Sequence, residues 1–403
     1  MNKKMNTSRG GLALAACLLA MGSAKADDGK LTTFNPVEHA VISQTIAPDA
    51  RSAGMGDVGA ATDPDVNSQA WNLAKYPFCI SRAGVALNYT PWLRQLVNDI
   101  DLAYLAGYYR IGDYGALSGS LRYFSLGEVF TSDDSDMTVN PYEMSLDVAY
   151  SRMLSETFSL GVGLRWIYSD LRYDYSEDSK PASAFAADIA MYYNNYVMLG
   201  SRECQLGLGL TLQNLGSKIS YYGDEESQFI PANLRLGASL MIPVDEYNRF
   251  SIAADANKLL VPTVPTMEQY IDDELDGDDS KYSSGPYQEY VRRKYSDVSS
   301  IKGMFQSFSD APGGFKEEME EIQWSVGAEY VYHDKFSLRA GYHHESESKG
   351  NRKYFTVGGG FRMSVFSLDV GYVISTAQSN PLDQTLRFTL SFDMDGIKDL
   401  FRK

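Results

Sequence analysis

Cysteine and histidine are scarce in this chain, basic residues are outnumbered, and no long apolar run follows the first two dozen residues. Each scarcity closes a class of answers. Of three cysteines, Cys17 sits in the N-terminal apolar run, leaving Cys79 and Cys204. The strand pattern below places those two outward on non-adjacent strands, so free thiols are expected and no disulfide framework. No Gly-X-Ser-X-Gly elbow occurs, which removes the usual acyl-hydrolase nucleophile. Beyond residue 26 nothing approaches the ~18 unbroken apolar residues that a spanning helix needs. Lys and Arg number 36 against 52 Asp and Glu, a formal charge of −16, which excludes a basic nucleic-acid surface.

What is present begins with an export signal. Lys3, Lys4 and Arg9 precede an apolar run from Leu12 to Met21, and Ala24-Lys25-Ala26 supplies small residues before Asp27. This predicts a signal peptide over 1–26, cleaved after Ala26. Leu14-Ala15-Ala16-Cys17 resembles a lipoprotein box, but the apolar run continues past Cys17. Cleavage at 26 removes Lys3, Lys4, Arg9 and Lys25 and no acid, so the mature charge becomes −20.

From about residue 78 the chain alternates with period two. In 354–363 one face reads Phe355, Val357, Gly359, Phe361, Met363 and the other Tyr354, Thr356, Gly358, Gly360, Arg362. In 385–392 Leu386, Phe388, Leu390 and Phe392 oppose Thr385, Arg387, Thr389 and Ser391. Segment 157–172 sets Phe158 to Tyr168 (even positions) against Ser159, Gly161, Gly163 and Arg165. Side chains alternate across a strand, so each segment has one greasy and one polar or small face.

Fourteen such segments are predicted: 79–90, 99–110, 114–126, 142–153, 157–172, 183–198, 203–214, 232–242, 247–258, 322–333, 335–344, 354–364, 366–376 and 384–393. Connections after even strands are tight and those after odd strands long. That rhythm, with aromatics near strand ends, fits an all-β, 14-stranded antiparallel transmembrane β-barrel in the outer membrane, with long extracellular loops. Residues 78–393 are read as the barrel, 27–77 as an N-terminal hatch in its lumen, and 394–403 as a periplasmic tail. Inward Arg165, Arg235, Glu329, Arg339, Arg362, Asp369 and Arg387 are expected to form salt bridges across the lumen or to the hatch.

The connection 259–321 is too long for a simple loop. It carries acids from Asp272 to Asp279, a basic Arg292-Arg293-Lys294, and Tyr282, Tyr287, Tyr290, Tyr295, Phe305, Phe308 and Phe315. Such aromatics either grip a protein partner or pack on one another as a cap. Asp133, Asp134, Tyr221 and Tyr222, on two other long connections, join them as candidate partner-binding residues. Chemistry has little support. Adjacent His343 and His344 face opposite sides of a strand, and the acidic run lacks the ligand spacing of a calcium loop. No metal, cofactor or catalytic site is expected.

The leader carries a resemblance. Ala47 to Ala61, containing Arg51 and Gly54-Met55-Gly56, followed by Asn72-Leu73-Ala74, resembles the hatch of FadL-like outer-membrane proteins. Arg51, Gly54, Met55, Gly56, Asn72 and Ala74 are the residues that match; Leu73 replaces the proline of that family's Asn-Pro-Ala. Within that superfamily the chain is most similar to the PorV (LptO) family of the type IX secretion system. The resemblance implies a non-enzymatic shuttle. It would bind the C-terminal β-sandwich signal domain of secreted cargo and carry it from a large outer-membrane translocon to a sortase-like protease that attaches it to lipopolysaccharide. A FadL-like transporter of hydrophobic small molecules is the alternative. A lipid A deacylase using His343, His344 and Ser346 is a third.

Overall fold

The computed structural model describes residues 34–94, 99–130, 138–171, 180–221, 227–376 and 384–395. The signal-peptide expectation and Asp133, Asp134 and Tyr222 therefore lie outside the described residues. Fourteen strands close into one barrel. They are β1 (Ala83–Pro91), β2 (Ile100–Ile111), β3 (Gly115–Leu126), β4 (Tyr142–Ser155), β5 (Phe158–Asp170), β6 (Ala182–Leu199) and β7 (Arg202–Gly216), then β8 (Asn233–Pro243), β9 (Asn248–Leu259), β10 (Gln323–Tyr332), β11 (Phe336–His344), β12 (Lys353–Arg362), β13 (Phe366–Ser375) and β14 (Leu386–Asp393). Each pairs antiparallel with its neighbours in sequence, and β1 closes on β14 from Gly84↔Asp393 to Tyr89↔Phe388. Closure removes the sheet edges that would otherwise stand unpaired in lipid.

The faces alternate as the sequence requires. Phe355, Val357, Leu368, Ile374, Leu386 and Phe388 point out and are exposed, while Thr356, Asp369, Val373, Arg387 and Thr389 between them are buried. A continuous apolar outer surface of this kind needs lipid to cover it. Its ends carry aromatics. Tyr123, Tyr142, Tyr168 and Trp166 form one run of ring contacts, and Trp324, Tyr342 and Phe355 another, at the long-loop end. Tyr332 and Phe336 with Phe361 mark the tight-turn end. By the rule of outer-membrane barrels the tight turns are periplasmic.

Two expectations need correction. The first strand begins at Ala83, not 79, because Leu73–Phe78 coil into a 3-10 helix inside the lumen and the chain reaches the wall only afterwards. Cys79 therefore does not face outward. It is buried among Tyr76, Tyr108 and Tyr192, and burial pushes its thiol up to about 12, which makes it inert. Cys204 shares the outward register of Leu206 and Leu208 but is completely covered. Both thiols are free.

The 259–321 connection, too long for a simple loop, is helical. It holds α3 (Met267–Glu274), α4 (Ser284–Val291), α5 (Ser300–Gln306) and α6 (Phe315–Glu320), counted after two single-turn helices in the lumen, α1 (Ala50–Ala53) and α2 (Ser68–Trp71). A capping box of Thr266 and Gln269 starts α3. The connections 127–141 and 217–232 each contain a two-residue ladder, Val129–Phe130 with Thr138–Val139 and Ile219–Ser220 with Ser227–Gln228.

Candidate functional site

The luminal segment is seated by the absence of side chains and by charge. At Gly56 φ is +73°, and an added Cβ would stand 2.7 Å from the backbone nitrogen of Tyr342. Only glycine meets both constraints. Opposite it Gly341 leaves room for the backbone of Met55, which an added Cβ would strike at 2.1 Å. Thr356 Oγ1 then accepts the Gly56 amide at 2.8 Å, and Thr389 Oγ1 accepts that of Ala50 at 2.8 Å. Met55 is buried in this seat.

Around the seat runs an ion-pair chain. Arg51 binds Glu329 at 3.0 Å and Asp65 at 2.9 Å. Glu329 also takes Arg339 at 2.7 Å, and Arg339 takes Asp369 at 2.7 Å. On the same half of the lumen Arg387 binds Asp57 at 3.1 Å, while the Tyr354 hydroxyl donates to Asp57 at 2.5 Å. Asp255 accepts the backbone amides of Gly59 and Ala60 at 2.8 and 3.0 Å. The expected inward charges thus bind partners as anticipated, apart from Arg362, which is exposed at the periplasmic end. A separate triad, Arg165 with Asp147 at 2.6 Å and Asp188 at 2.9 Å, braces the barrel wall alone.

All six residues of the leader motif meet in this lumen. Asn72 Nδ2 donates to the carbonyls of Ala60 (2.8 Å) and Met191 (2.9 Å), and its Oδ1 accepts from the Ala74 amide (3.0 Å). With Leu73 in place of proline, this turn is capped by the Asn72 side chain. The carboxylate partners Asp57, Asp65 and Asp255 were not singled out in the sequence. The inward parity of Asp255 on its strand was the available signal.

Above the lumen the helical layer is pinned by two lysines, Lys258 of β9 and Lys349 of the β11–β12 connection. Lys258 binds Glu318 (3.1 Å) and Glu321 (2.5 Å), and Lys349 binds Glu317 (2.5 Å) and Glu321 (3.1 Å). The tyrosines expected at a partner surface pack inward. Tyr270 lies 6.3, 5.7 and 5.4 Å from Tyr282, Tyr287 and Tyr290, and Tyr295 donates to the Glu38 carbonyl and packs on Phe229. Tyr221 is buried and donates to Ser169 Oγ. The capping alternative therefore describes these residues.

Phe305 and Phe308 differ. Phe305 is 76% exposed and shares an i,i+4 face of α5 with Ile301, 70% exposed. Phe315, 81% exposed, pairs likewise with Met319 on α6. Phe308 lies 5.8 Å from the Lys258 ammonium that holds α6, which places it beside both helices. Ile301 and Met319 belong to this surface although the sequence did not single them out. Helical spacing in 300–320 was the missed signal.

One acid in this layer is tuned. Asp310 Oδ2 accepts from the Thr263 amide at 3.1 Å, while its Oδ1 has no partner among the described residues. Burial, with added repulsion from Glu318 and Glu321, pushes its carboxyl up to about 7. An acid whose folded value lies above its ordinary value holds its proton better when folded. Its stabilising contribution is complete below the ordinary carboxylate range and is lost as pH rises through about 7. Proteolytic cleavage within 260–322 is therefore expected to accelerate between pH 6 and 8. Asp310→Asn should flatten that dependence, and an unchanged slope in the variant would contradict the assignment.

The histidines do not assemble a reactive centre with Ser346. His343 points inward to Ser325 Oγ (2.9 Å), His344 stacks outward on Trp324 (4.8 Å), and Ser346 Oγ lies 3.1 Å from Ser348 Oγ.

Comparison with known proteins gives a family. No curated protein matches the chain. Among solved structures, the toluene transporter TodX of Pseudomonas putida is 11% identical, with 90% of this chain and 99% of that chain covered at a TM-score of 0.48. A Pseudomonas aeruginosa FadL homologue is 11% identical over 86% of this chain and 98% of that chain, at a TM-score of 0.41. The profile of the family described as type IX secretion system protein PorV matches residues 24–266. The chain belongs to the PorV family of the type IX secretion system.

Proposed function

We propose that this barrel is a shuttle at the outer face of the outer membrane. It receives the C-terminal β-sandwich signal domain of secreted cargo from the translocon and hands it to a sortase-like protease for attachment to lipopolysaccharide. The observation that carries this reading is the pair of exposed apolar helix faces on α5 and α6, anchored to a closed barrel through Lys258 and Lys349. A soluble partner domain buries such side chains, and holding them on a rigid base lowers the ordering cost of binding. The acidic α3 of the same connection supplies a polar surround that sets orientation. The luminal segment serves as a hatch, because charge and backbone contacts fill the lumen where a greasy tunnel would have to run.

Purification of the tagged chain from its own cells in mild detergent, with mass spectrometry of what accompanies it, tests the proposal. Secreted proteins sharing a C-terminal signal domain, a giant barrel and a sortase-like protease are the expected companions. A barrel recovered alone with a bound hydrophobic molecule would favour the transporter.

A further inference from the structure

The helices α5 and α6 do not rest on the barrel wall alone. Under the helical layer lies a cavity of about 930 Å³, lined by Val37, Glu38 and His39 as well as by Arg292, Tyr295 and Ser296. Atoms that line a void have no packing partners across it, so over this span the layer is held where chain crosses the gap. One such crossing is a strap, residues 34–46, that leads down into the luminal segment.

The strap reaches the two helices by different chemistry. For α6 the tie is polar. The Asn35 side chain donates to Glu317 at 3.3 Å, and its main-chain amide donates to the Ser348 carbonyl at 2.8 Å. Ser348 Oγ in turn donates to Glu320 at 2.8 Å, so two carboxylates of α6 are tied to one strap residue, directly and through Ser348. For α5 the tie is apolar. Buried Gly303 lies so close to Phe229 that an added Cβ would stand 2.7 Å from the ring. Phe229 clusters with Val261 and Val298, Val37 of the strap packs against that cluster, and the Phe229 carbonyl accepts the Ala40 amide at 2.8 Å. Tyr295, beside the same cluster, donates to the Glu38 carbonyl at 3.0 Å.

The lower end of the strap is anchored to the wall. The Ser43 amide donates to the Glu143 carboxylate at 2.9 Å, and buried Arg122 donates to the Ser43 and Ile46 carbonyls. Between the two ends Val41 is buried at φ +58° and ψ +61°. A β-branched residue keeps that left-handed conformation only where its surroundings over-determine the chain path. The strap is therefore a fixed bracket. Because it touches the supports of α5 and α6 at separate residues, it sets the spacing of their exposed faces.

We propose that this strap is a positioning element for cargo. Without touching the cargo domain, it keeps α5 and α6 in the arrangement that docks it, a role that rests on the shuttle reading above. Positioning and contact leave different kinetic marks. Loosening the bracket lowers the fraction of molecules ready to bind, which slows association and leaves dissociation as it was. Removing a contacting side chain chiefly speeds dissociation.

The test combines Val37→Asp, which puts a charge against the apolar cluster, with Asn35→Asp, which sets a carboxylate against Glu317. Surface plasmon resonance on the detergent-purified full chain reads association and dissociation of an isolated signal domain, and limited proteolysis reads cleavage within 260–322. The heat-modifiable double variant should associate at least fivefold more slowly, dissociate within twofold of the native rate, and be cut at least fivefold faster. Asn35→Asp alone, which spares the apolar cluster, should shift association and cleavage the same way by at least twofold. The conservative Val37→Ile should keep native values. Native association and native cleavage in the double variant would overturn the proposal. So would native association with faster dissociation, which would make the strap a contact. No binding by the native chain would instead sink the shuttle reading and the cargo role with it, while faster cleavage would still show the strap holding the helices.

Discussion

Replacing residues 266–316 with a short glycine-serine linker is expected to abolish cargo capture while leaving a heat-modifiable barrel. The excision removes α3, α4, α5 and Phe315, and with them the exposed faces of Ile301, Phe305 and Phe308. It spares Glu317, Glu318 and Glu321, so Lys258 of β9 and Lys349 of the β11–β12 connection keep their partners. Anchors of this kind commonly cost about 2 kcal/mol or more each when truncated. Losing several should weaken binding of an isolated signal domain by at least ~100-fold, which is about 2.8 kcal/mol at 1.4 kcal/mol per decade. Surface plasmon resonance against an immobilised signal domain reads this directly. Full retention of binding would move the recognition surface elsewhere.

Glu329→Ala should be the most damaging single substitution in the lumen. It strips one carboxylate from two guanidinium groups at once, leaving Arg51 with Asp65 and Arg339 with Asp369. Removing one partner of a buried ion pair costs about 3–5 kcal/mol, because the stranded charge cannot recover its hydration. Since Arg51 holds the luminal segment, the loss should also loosen the hatch. Planar-bilayer recordings are expected to show openings absent from the native protein, alongside a lower unfolding temperature. Glu329→Gln keeps the volume and loses the charge, so it should be nearly as damaging as Glu329→Ala. A Glu329→Gln variant as stable as the native chain would point to lost volume in place of lost charge.

The barrel was legible because its code is local. A period of two, repeated over ten or more residues and punctuated by tight turns, fixes which side chains face lipid, and β10 to β14 begin and end within two residues of expectation. The first strand was misjudged because Leu73–Phe78 offers apolar residues to either a wall or a plug, and only the tertiary contacts of Tyr76 and Leu73 decide. The inward arginines were readable by parity, but their partners were not. Glu329 meets Arg339 through the β10–β11 register, while Arg51 arrives from a segment nearly three hundred residues away in sequence. The extracellular helices escaped because each runs only one or two turns. Their tyrosines could not be sorted from their phenylalanines by composition, since burial around Tyr270 depends on how α3 and α4 fold together.

On the proposed function the exposed faces of α5 and α6 receive the cargo domain. The most direct test compares the purified chain with a Phe305→Asp, Phe315→Asp variant for binding to an isolated C-terminal signal domain. A folded, heat-modifiable variant with affinity reduced at least tenfold is expected. A folded variant that binds as the native chain does would contradict it.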